Sequence, residues 1–426
     1  MSGSFSSLGL SAPLLRAIDE KKYLAPTAIQ AAAIPVILLG GDVRACAQTG
    51  SGKTAAFALP IVEQLLRDRD ELSRDVRALI LAPTRELAMQ ICESLRAYAR
   101  YVPVQLRIVV AFGGVSINPQ MLALRRGAEV LVATPGRLLD LVDNNALRLN
   151  AVSTLVLDEA DKLFELGFAD ELNRILSLLP PHQTLLFSAT FPPIVEMLAD
   201  VVLNTPTRID IEPKSSVGSV IAQRAIAVDT PRRTQLLRHL IEQYGWTRVL
   251  VFVATRYTTE HVAEKLRRAG INAAPLHGEL SQGARTQSLA DFKAAKIHVL
   301  VATDLAARGI DIVQMPVVVN YDLPRSAVDY THRIGRTGRA GESGLVVSFV
   351  SAESEAHFRL IEKRNHVNLP REQVAGFEMQ AVAAAHDPGS VPPRAGGIKG
   401  KRKSKKDKRR EAAGASAYVW PGETQK

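Results

Sequence analysis

The segment Ala47-Gln48-Thr49-Gly50-Ser51-Gly52-Lys53-Thr54 follows a short apolar stretch and runs into a helical pattern over residues 55–66. It therefore reads as a turn between a strand and a helix. Glycines at 50 and 52 let backbone N–H groups curve around phosphate oxygens, and the start of the following helix favours anions. Lys53 has the reach for β- and γ-phosphates, and the Thr54 hydroxyl suits Mg²⁺. The general phosphate-loop pattern has glycine where Ala47 stands, so the match is near rather than complete. Such a loop belongs to an α/β fold, and the rest of the chain is read from it outward.

Strand candidates alternate with amphipathic helices on the C-terminal side. Residues 77–81, 106–112, 129–133, 153–157 and 184–187 are short, mostly apolar runs. Between them, residues 86–98 carry helical spacing through Leu87, Ile91 and Leu95. Apolar strands separated by helices imply parallel sheets covered on both faces. The pattern lapses between Asn204 and Gly218, where Pro206 and Pro213 interrupt regular structure, and a second series follows at 248–253, 298–302, 317–321 and 344–349. The expected organisation is an α/β domain carrying the phosphate loop over 1–204, a flexible linker over 205–218, a second α/β domain over 219–370, and an extension over 371–426. The two halves can be read as distant copies of one fold.

A second chemical signal lies at residues 155–161, where Leu155-Val156-Leu157 runs into Asp158-Glu159-Ala160-Asp161. At a strand's C-terminal end, Asp158 is placed to bind a metal and Glu159 to accept a proton from an attacking water. Together with Gly50 to Thr54, these carboxylates imply Mg²⁺-dependent nucleoside triphosphate hydrolysis.

Composition excludes several other classes. The 426 residues are 46% hydrophobic, enough for sizeable cores, and the two cysteines, Cys46 and Cys92, cannot build a disulfide framework. No 18-residue apolar run and no secretion-type N-terminus is seen, so a cytoplasmic protein without membrane association is expected. Net charge is +10, and residues 394–426 hold eleven Lys or Arg against three Asp or Glu, which is +8 of that total. A basic, disordered tail available to polyanions follows.

The ordered set of motifs resembles the DEAD-box ATP-dependent RNA helicases over about residues 5–350, in a compact, bacterial-type form. The resemblance rests on the loop at 47–54, on Asp158-Glu159-Ala160-Asp161, and on the segment Tyr23 to Gln30, with Phe5 at the spacing of the family's isolated aromatic. Lys22 replaces a usual glycine there. It also rests on Pro83-Thr84-Arg85, Gly113-Gly114, Thr134-Pro135-Gly136-Arg137 and Ser188-Ala189-Thr190. The second half supplies residues 302–311 and 332–339.

The resemblance implies two RecA-like parallel-sheet domains joined by a flexible linker, with ATP and Mg²⁺ as cofactors. Phe5, Tyr23 and Gln30 would read adenine; residues 47–54 with Asp304 and Asp311 would hold the nucleotide; and Thr54 and Asp158 would hold the metal. Lys53, Thr54, Asp158, Glu159, Arg336 and Arg339 would carry catalysis, the two arginines as fingers on the γ-phosphate, where a planar guanidinium pairs with phosphate oxygens. Pro83, Thr84, Arg85, Gly113, Gly114, Thr134, Pro135, Gly136 and Arg137 would grip the RNA backbone from the first domain. Gln282, Arg285, Thr303, Arg308 and Gly309 would do so from the second, where Thr255 and Arg256 also suit a backbone contact. Asp161, Ser188, Ala189, Thr190 and His332 would couple hydrolysis to strand separation, the hydroxyls through the carboxylates of Asp158 and Asp161.

The implied partners are single-stranded and short duplex RNA, with ribonucleoprotein or ribosome-assembly particles beyond them. Two alternatives stay open from the sequence: an ATP-gated RNA clamp serving as an assembly platform, and an ATP-dependent DNA helicase.

Overall fold

The computed structural model of the chain describes residues 4–48, 50–67, 75–211, 221–307, 315–338 and 343–379. Two seven-stranded, wholly parallel sheets organise them. The first comprises β1 (Val43–Cys46), β2 (Ala78–Leu81), β3 (Ile108–Ala111), β4 (Val130–Ala133), β5 (Thr154–Leu157), β6 (Gln183–Ser188) and β7 (Thr207–Asp210), in the order β3-β4-β2-β5-β6-β1-β7. The second comprises β8 (Ile221–Ala227), β9 (Val249–Val253), β10 (Ala273–Leu276), β11 (Val299–Thr303), β12 (Val317–Asn320), β13 (Gly344–Val350) and β14 (Arg371–Glu372), in the order β10-β11-β9-β12-β13-β8-β14. The second order is the first with every strand number raised by seven, so the halves are two copies of one topology. These are two RecA-like domains.

The inner strands are apolar along most of their length because each face of the sheet is covered. In β9, Val249, Val251 and Val253 enter one core with Leu236, Leu240 and Val262, while Leu250 and Phe252 enter another with Leu276, Phe292 and Val318. In the first domain, Phe57 and Phe187 meet with ring centroids 5.3 Å apart. Four helices of that domain bear on the site: α1 (Ala12–Glu20), α2 (Ala28–Leu38), α3 (Lys53–Arg67) and α4 (Arg85–Tyr98).

Four strands fall outside the candidates read from the sequence, and one of them, β8, carries polar Gln223 and Arg224 within its run. Residues 207–210, assigned above to the linker, form β7 and pair in parallel with β1; only Ile209 of the four is buried, so the apolar signal is a single residue. β10, not among the strand candidates, contains Pro275 and is an edge strand paired only to β11, a place where proline is tolerated. β14 lies past the expected domain end at 370 and is held by charge rather than apolar content. Arg371 binds both Glu355 and Glu362 at 2.9 and 2.7 Å, and Arg224 binds Glu372 at 2.6 Å. The remaining part of the expected linker, 212–218, and the basic tail lie outside the described residues.

Candidate nucleotide and RNA site

The loop from β1 to α3 takes a shape that glycine allows. Gly50 and Gly52 have φ of +83° and +95°, and a Cβ on Gly52 would run into the Gln30 amide. Gln30 is 4% exposed; its Oε1 accepts from the Thr27 N–H at 2.9 Å, and its Nε2 donates to the Gly52 carbonyl at 3.2 Å. One side chain thus caps α2 and ties that cap to the loop. Lys53 is buried, and its Nζ donates to the Ala47 carbonyl at 2.8 Å, which holds the ammonium across its own loop.

The carboxylates stand at the end of β5, where the Asp158 N–H continues the ladder to Leu81. Asp158 is 2% exposed, and burial pushes its pKa up to about 7, with neighbouring Glu159 and Asp161 adding to the rise and Lys53 opposing it. Burial raises Glu159 as well. Glu159 sits at φ +50°, ψ +53°, a left-handed conformation that costs a non-glycine residue about 1–2 kcal/mol. The turn sends the chain from β5 into the helix Ala160–Glu165 while leaving both carboxylates on the cleft wall. Side chains over-determined in such a conformation concentrate at functional sites.

Asp158 and Thr54 line this cleft together and present hard oxygen donors. Two desolvated carboxylates with one lysine opposing them are the environment in which an added cation is favourable. Mg²⁺ takes one or two protein oxygens and completes its shell with phosphate and water, and the Asp158 and Thr54 side chains offer that number.

The cleft, about 580 Å³, is closed by the second domain. Tyr23, Gln30, Gly52, Lys53, Asp158 and Glu159 face it from one side, and Arg336 and Lys293 from the other. The Arg336 charge favours the ionised form of Glu159, against burial. Thr49, Arg308, Gly309, Asp311 and Arg339 lie outside the described residues.

Ser188-Ala189-Thr190 continues from β6 beside the acidic turn. The Thr190 hydroxyl donates to Asp161 Oδ2 at 2.9 Å. The Ser188 hydroxyl accepts from the Asp161 N–H at 3.2 Å and donates to the Thr190 carbonyl at 2.7 Å. The expected link to the Asp158 carboxylate is replaced by one to the Asp161 backbone, because the Asp158 Oδ1 is turned to the Glu159 N–H at 2.9 Å. Ala189 contributes its carbonyl, which faces Cys46 Sγ at 3.6 Å. His332 of the second domain is half-buried near this turn; burial and then Lys162 hold its pKa below the usual range, against the pull of Asp161.

Pro83 and Thr84 end β2, and the Thr84 hydroxyl accepts from the Leu87 N–H at 3.3 Å to cap α4. The Arg85 guanidinium lies over Gly114, whose φ is +78° and where any Cβ would collide with it. Gly113 and Gly136 have open space where a side chain would stand. Thr134 precedes the helix Pro135–Asp143, and Arg137 on that helix donates from Nη2 to the Val115 carbonyl at 2.8 Å, leaving Nη1 buried without a partner. Arg85, Gly113, Gly114 and Arg137 therefore share one end of the first sheet.

Five residues expected at the nucleotide or the RNA meet other groups of the protein in this structure. Arg285, expected at RNA, forms an ion pair with Glu86 of the first domain at 2.8 Å, with both side chains about 5% exposed. Gln282 reaches the same Glu86 at 3.5 Å. Asp304, expected at the nucleotide, is held by Arg333 at 2.6 and 2.7 Å, and Arg333 also donates to Asn320 and to the Asp322 carbonyl. Phe5, expected at adenine, is 5% exposed in the core with Leu8, Ile34 and Ile37. Thr303 spends its hydroxyl on the Ala306 N–H at 3.4 Å, capping the short helix Asp304–Ala307.

Lys293, Lys21 and Tyr98 lie outside the motifs, and Glu86 and Arg333 lie within them without an assigned role. For Glu86 the signal was present: the core stripe through Leu87, Ile91 and Leu95 turns positions 86, 90 and 93 toward other surroundings. Lys293 and Tyr98 had no comparable signal, since only the fold brings them to one cleft.

Fold and cleft together define a phosphate-loop nucleotide-binding protein with two tandem RecA-like domains. Family models place it further: the DEAD/DEAH box helicase model matches residues 27–198, and the helicase conserved C-terminal domain model matches residues 232–341. The chain is 41% identical over 376 residues to the ATP-dependent RNA helicase DeaD of Mycobacterium tuberculosis, covering 88% of this chain and 66% of that protein. It is 39% identical over 382 residues to the ATP-dependent rRNA helicase rrp3 of Emericella nidulans, covering 89% and 81%. The solved structure of S. cerevisiae Dbp5 bound to RNA and ADP BeF3 matches with a TM-score of 0.76 at 31% identity, covering 87% of this chain and 95% of that one. The chain belongs to the DEAD-box RNA helicase family, whose ATPase domain implies ATP and Mg²⁺. Relatives occur in bacteria and eukaryotes alike, so the likeness is not confined to a bacterial type. Among the described residues no helix is long and apolar enough to cross a membrane.

Proposed function

We propose that this protein is an ATP-dependent RNA helicase, coupling ATP hydrolysis and domain closure to local, sequence-independent opening of RNA duplexes or remodelling of ribonucleoprotein. The single observation that carries this reading is Arg336 of the second domain facing the cleft with Lys53, Asp158 and Glu159 of the first. A site divided in this way is complete only when the domains meet, so binding that draws them together also assembles the catalytic groups.

The backbone N–H groups around Gly50 and Gly52 receive phosphate oxygens, and Lys53 leaves the Ala47 carbonyl to meet the terminal phosphates. Bound Mg²⁺, held by Thr54 and Asp158, would neutralise charge on the phosphates. Glu159 orients the attacking water and takes its proton, a role helped by a carboxylate whose pKa burial has raised. Arg336, with Arg339, stabilises charge developing on the transferred group. Arg85, Arg137 and the open surfaces at Gly113 and Gly136 suit an RNA backbone, which such contacts hold without reading bases. Ribosomal or other ribonucleoprotein particles in the cytoplasm are the targets this reading favours, supported by the relative named as an rRNA helicase.

Steady-state ATP hydrolysis with single-stranded RNA, single-stranded DNA or no nucleic acid tests the reading. Stimulation by RNA alone is expected. Equal stimulation by DNA would convert it to a general or DNA motor, and tight RNA binding without displacement of a duplex strand would convert it to a clamp.

A further inference from the structure

The exposed face of the helix Arg256–Arg268 carries an aromatic pair that none of the contacts above uses. Tyr257 is 72% exposed, and its ring lies on that of His261 with centroids 5.6 Å apart and planes 13° from parallel. The two residues are one turn apart, and Lys265 and Arg268 follow on the same face of the helix, both exposed. The acids nearby are already engaged: Glu264 accepts from Arg267 and Arg268, and Glu260 meets His277 at 2.8 Å.

The pair also adjoins the second domain's side of the expected RNA path. Thr255, two residues before Tyr257, caps the helix by accepting from the Thr258 N–H. Arg256, next to Tyr257, pairs with Glu279, which stands directly after Gly278 and just before the helix Gln282–Lys293. A protein partner would favour a contiguous apolar patch. Here the neighbours of Tyr257 along the chain, Thr255, Arg256, Thr258 and Glu260, are all polar, so the exposed ring is not part of an apolar run. Aromatic faces beside cationic side chains suit unpaired bases with phosphates alongside.

We propose that Tyr257, backed by His261, is a stacking platform for one unpaired RNA base immediately beyond the backbone contact at Thr255 and Arg256. The proposal rests on the RNA-helicase reading above. The platform accepts any base, since every base has a flat face, and it extends the RNA footprint of the second domain along the helix toward Lys265.

The test uses the full chain, a series of single-stranded RNAs carrying 2-aminopurine at successive positions, and the variants Tyr257→Ala and Tyr257→Phe. RNA affinity is read by fluorescence anisotropy and stacking by quenching of the 2-aminopurine. Tyr257→Ala is expected to weaken binding about 5- to 150-fold, the range for loss of one stacked base. It should also abolish quenching at one position, while Tyr257→Phe keeps both. Wild-type affinity and quenching in Tyr257→Ala would overturn the platform and leave the helicase reading standing. Equal losses in the Ala and Phe variants would assign the effect to the hydroxyl and overturn stacking. A wild-type protein that binds no RNA would overturn the helicase reading and the platform together.

Discussion

At the scale of single residues, Glu159 combines a raised pKa with a strained backbone, and the two features have different consequences. Glu159→Gln keeps the side chain's size and removes only its basicity, so ATP binding is expected to persist while turnover falls at least a hundredfold, within the range for loss of a general base. Measured nucleotide affinity and single-turnover hydrolysis check it, and unchanged turnover would remove Glu159 as the base. Lys53→Ala should instead weaken nucleotide binding itself.

Asp158 predicts a pH dependence of stability. Its pKa is raised by burial from 3.8 to about 7, so the folded, nucleotide-free protein binds more protons than the unfolded chain between those values. Stability should therefore fall as pH rises through that window, by at most about 1.4 kcal/mol per pH unit from this group. Asp158→Asn removes the term, so urea unfolding of the metal- and nucleotide-free variant from pH 5 to 8 should show a flatter profile and greater stability at pH 8. A profile parallel to wild type would refute that account.

At the scale of elements, α4 and the helix Gln282–Lys293 are joined at Glu86, which takes a buried ion pair from Arg285 and a longer contact from Gln282. Exposed pairs contribute 0–1 kcal/mol, but removing one partner of a buried pair costs about 3–5 kcal/mol because the other charge is left desolvated. Glu86 and Arg285 are each about 5% exposed, which places them in the second case. Arg285→Ala should thus oppose domain closure rather than unfold either sheet. The expected result is RNA affinity reduced by at least tenfold in the presence of a non-hydrolysable ATP analogue, with little change in affinity for nucleotide without RNA. Equal RNA affinity in variant and wild type would show that closure does not use the pair. The edge strands belong to the same scale: β7 and β14 are held by pairing and charge, not by an apolar pattern, and periodicity alone missed both.

At the scale of the whole molecule, charge is concentrated in a basic extension, residues 394–426 holding +8 of the net +10 and residues 1–393 together only +2. Deleting 394–426 should weaken RNA binding and lower its dependence on salt, while the RNA-saturated ATPase rate is kept. Anisotropy titrations across a range of salt concentrations read the slope directly. A slope equal to that of the full chain would leave the extension without a role in RNA binding. The repeated strand order adds a second whole-molecule fact: two copies of one topology place a phosphate loop in one half and arginines in the other.

The sequence by itself determined the fold class, because a parallel sheet covered on both faces demands continuous apolar strands, and these are visible without knowing their neighbours. It also determined the phosphate loop and the acidic strand end, since each is built from adjacent residues at a single turn. The tertiary structure alone decided which charges are spent on one another. Gln282 and Glu86 stand 196 residues apart, and Asp304 and Arg333 stand 29 apart, distances over which no local pattern operates. Packing likewise decided that Phe5 belongs to the core and that Tyr257 remains in solvent. Local spacing specifies what a residue can do, but the partner that it meets depends on how the sheets and helices bring distant segments together.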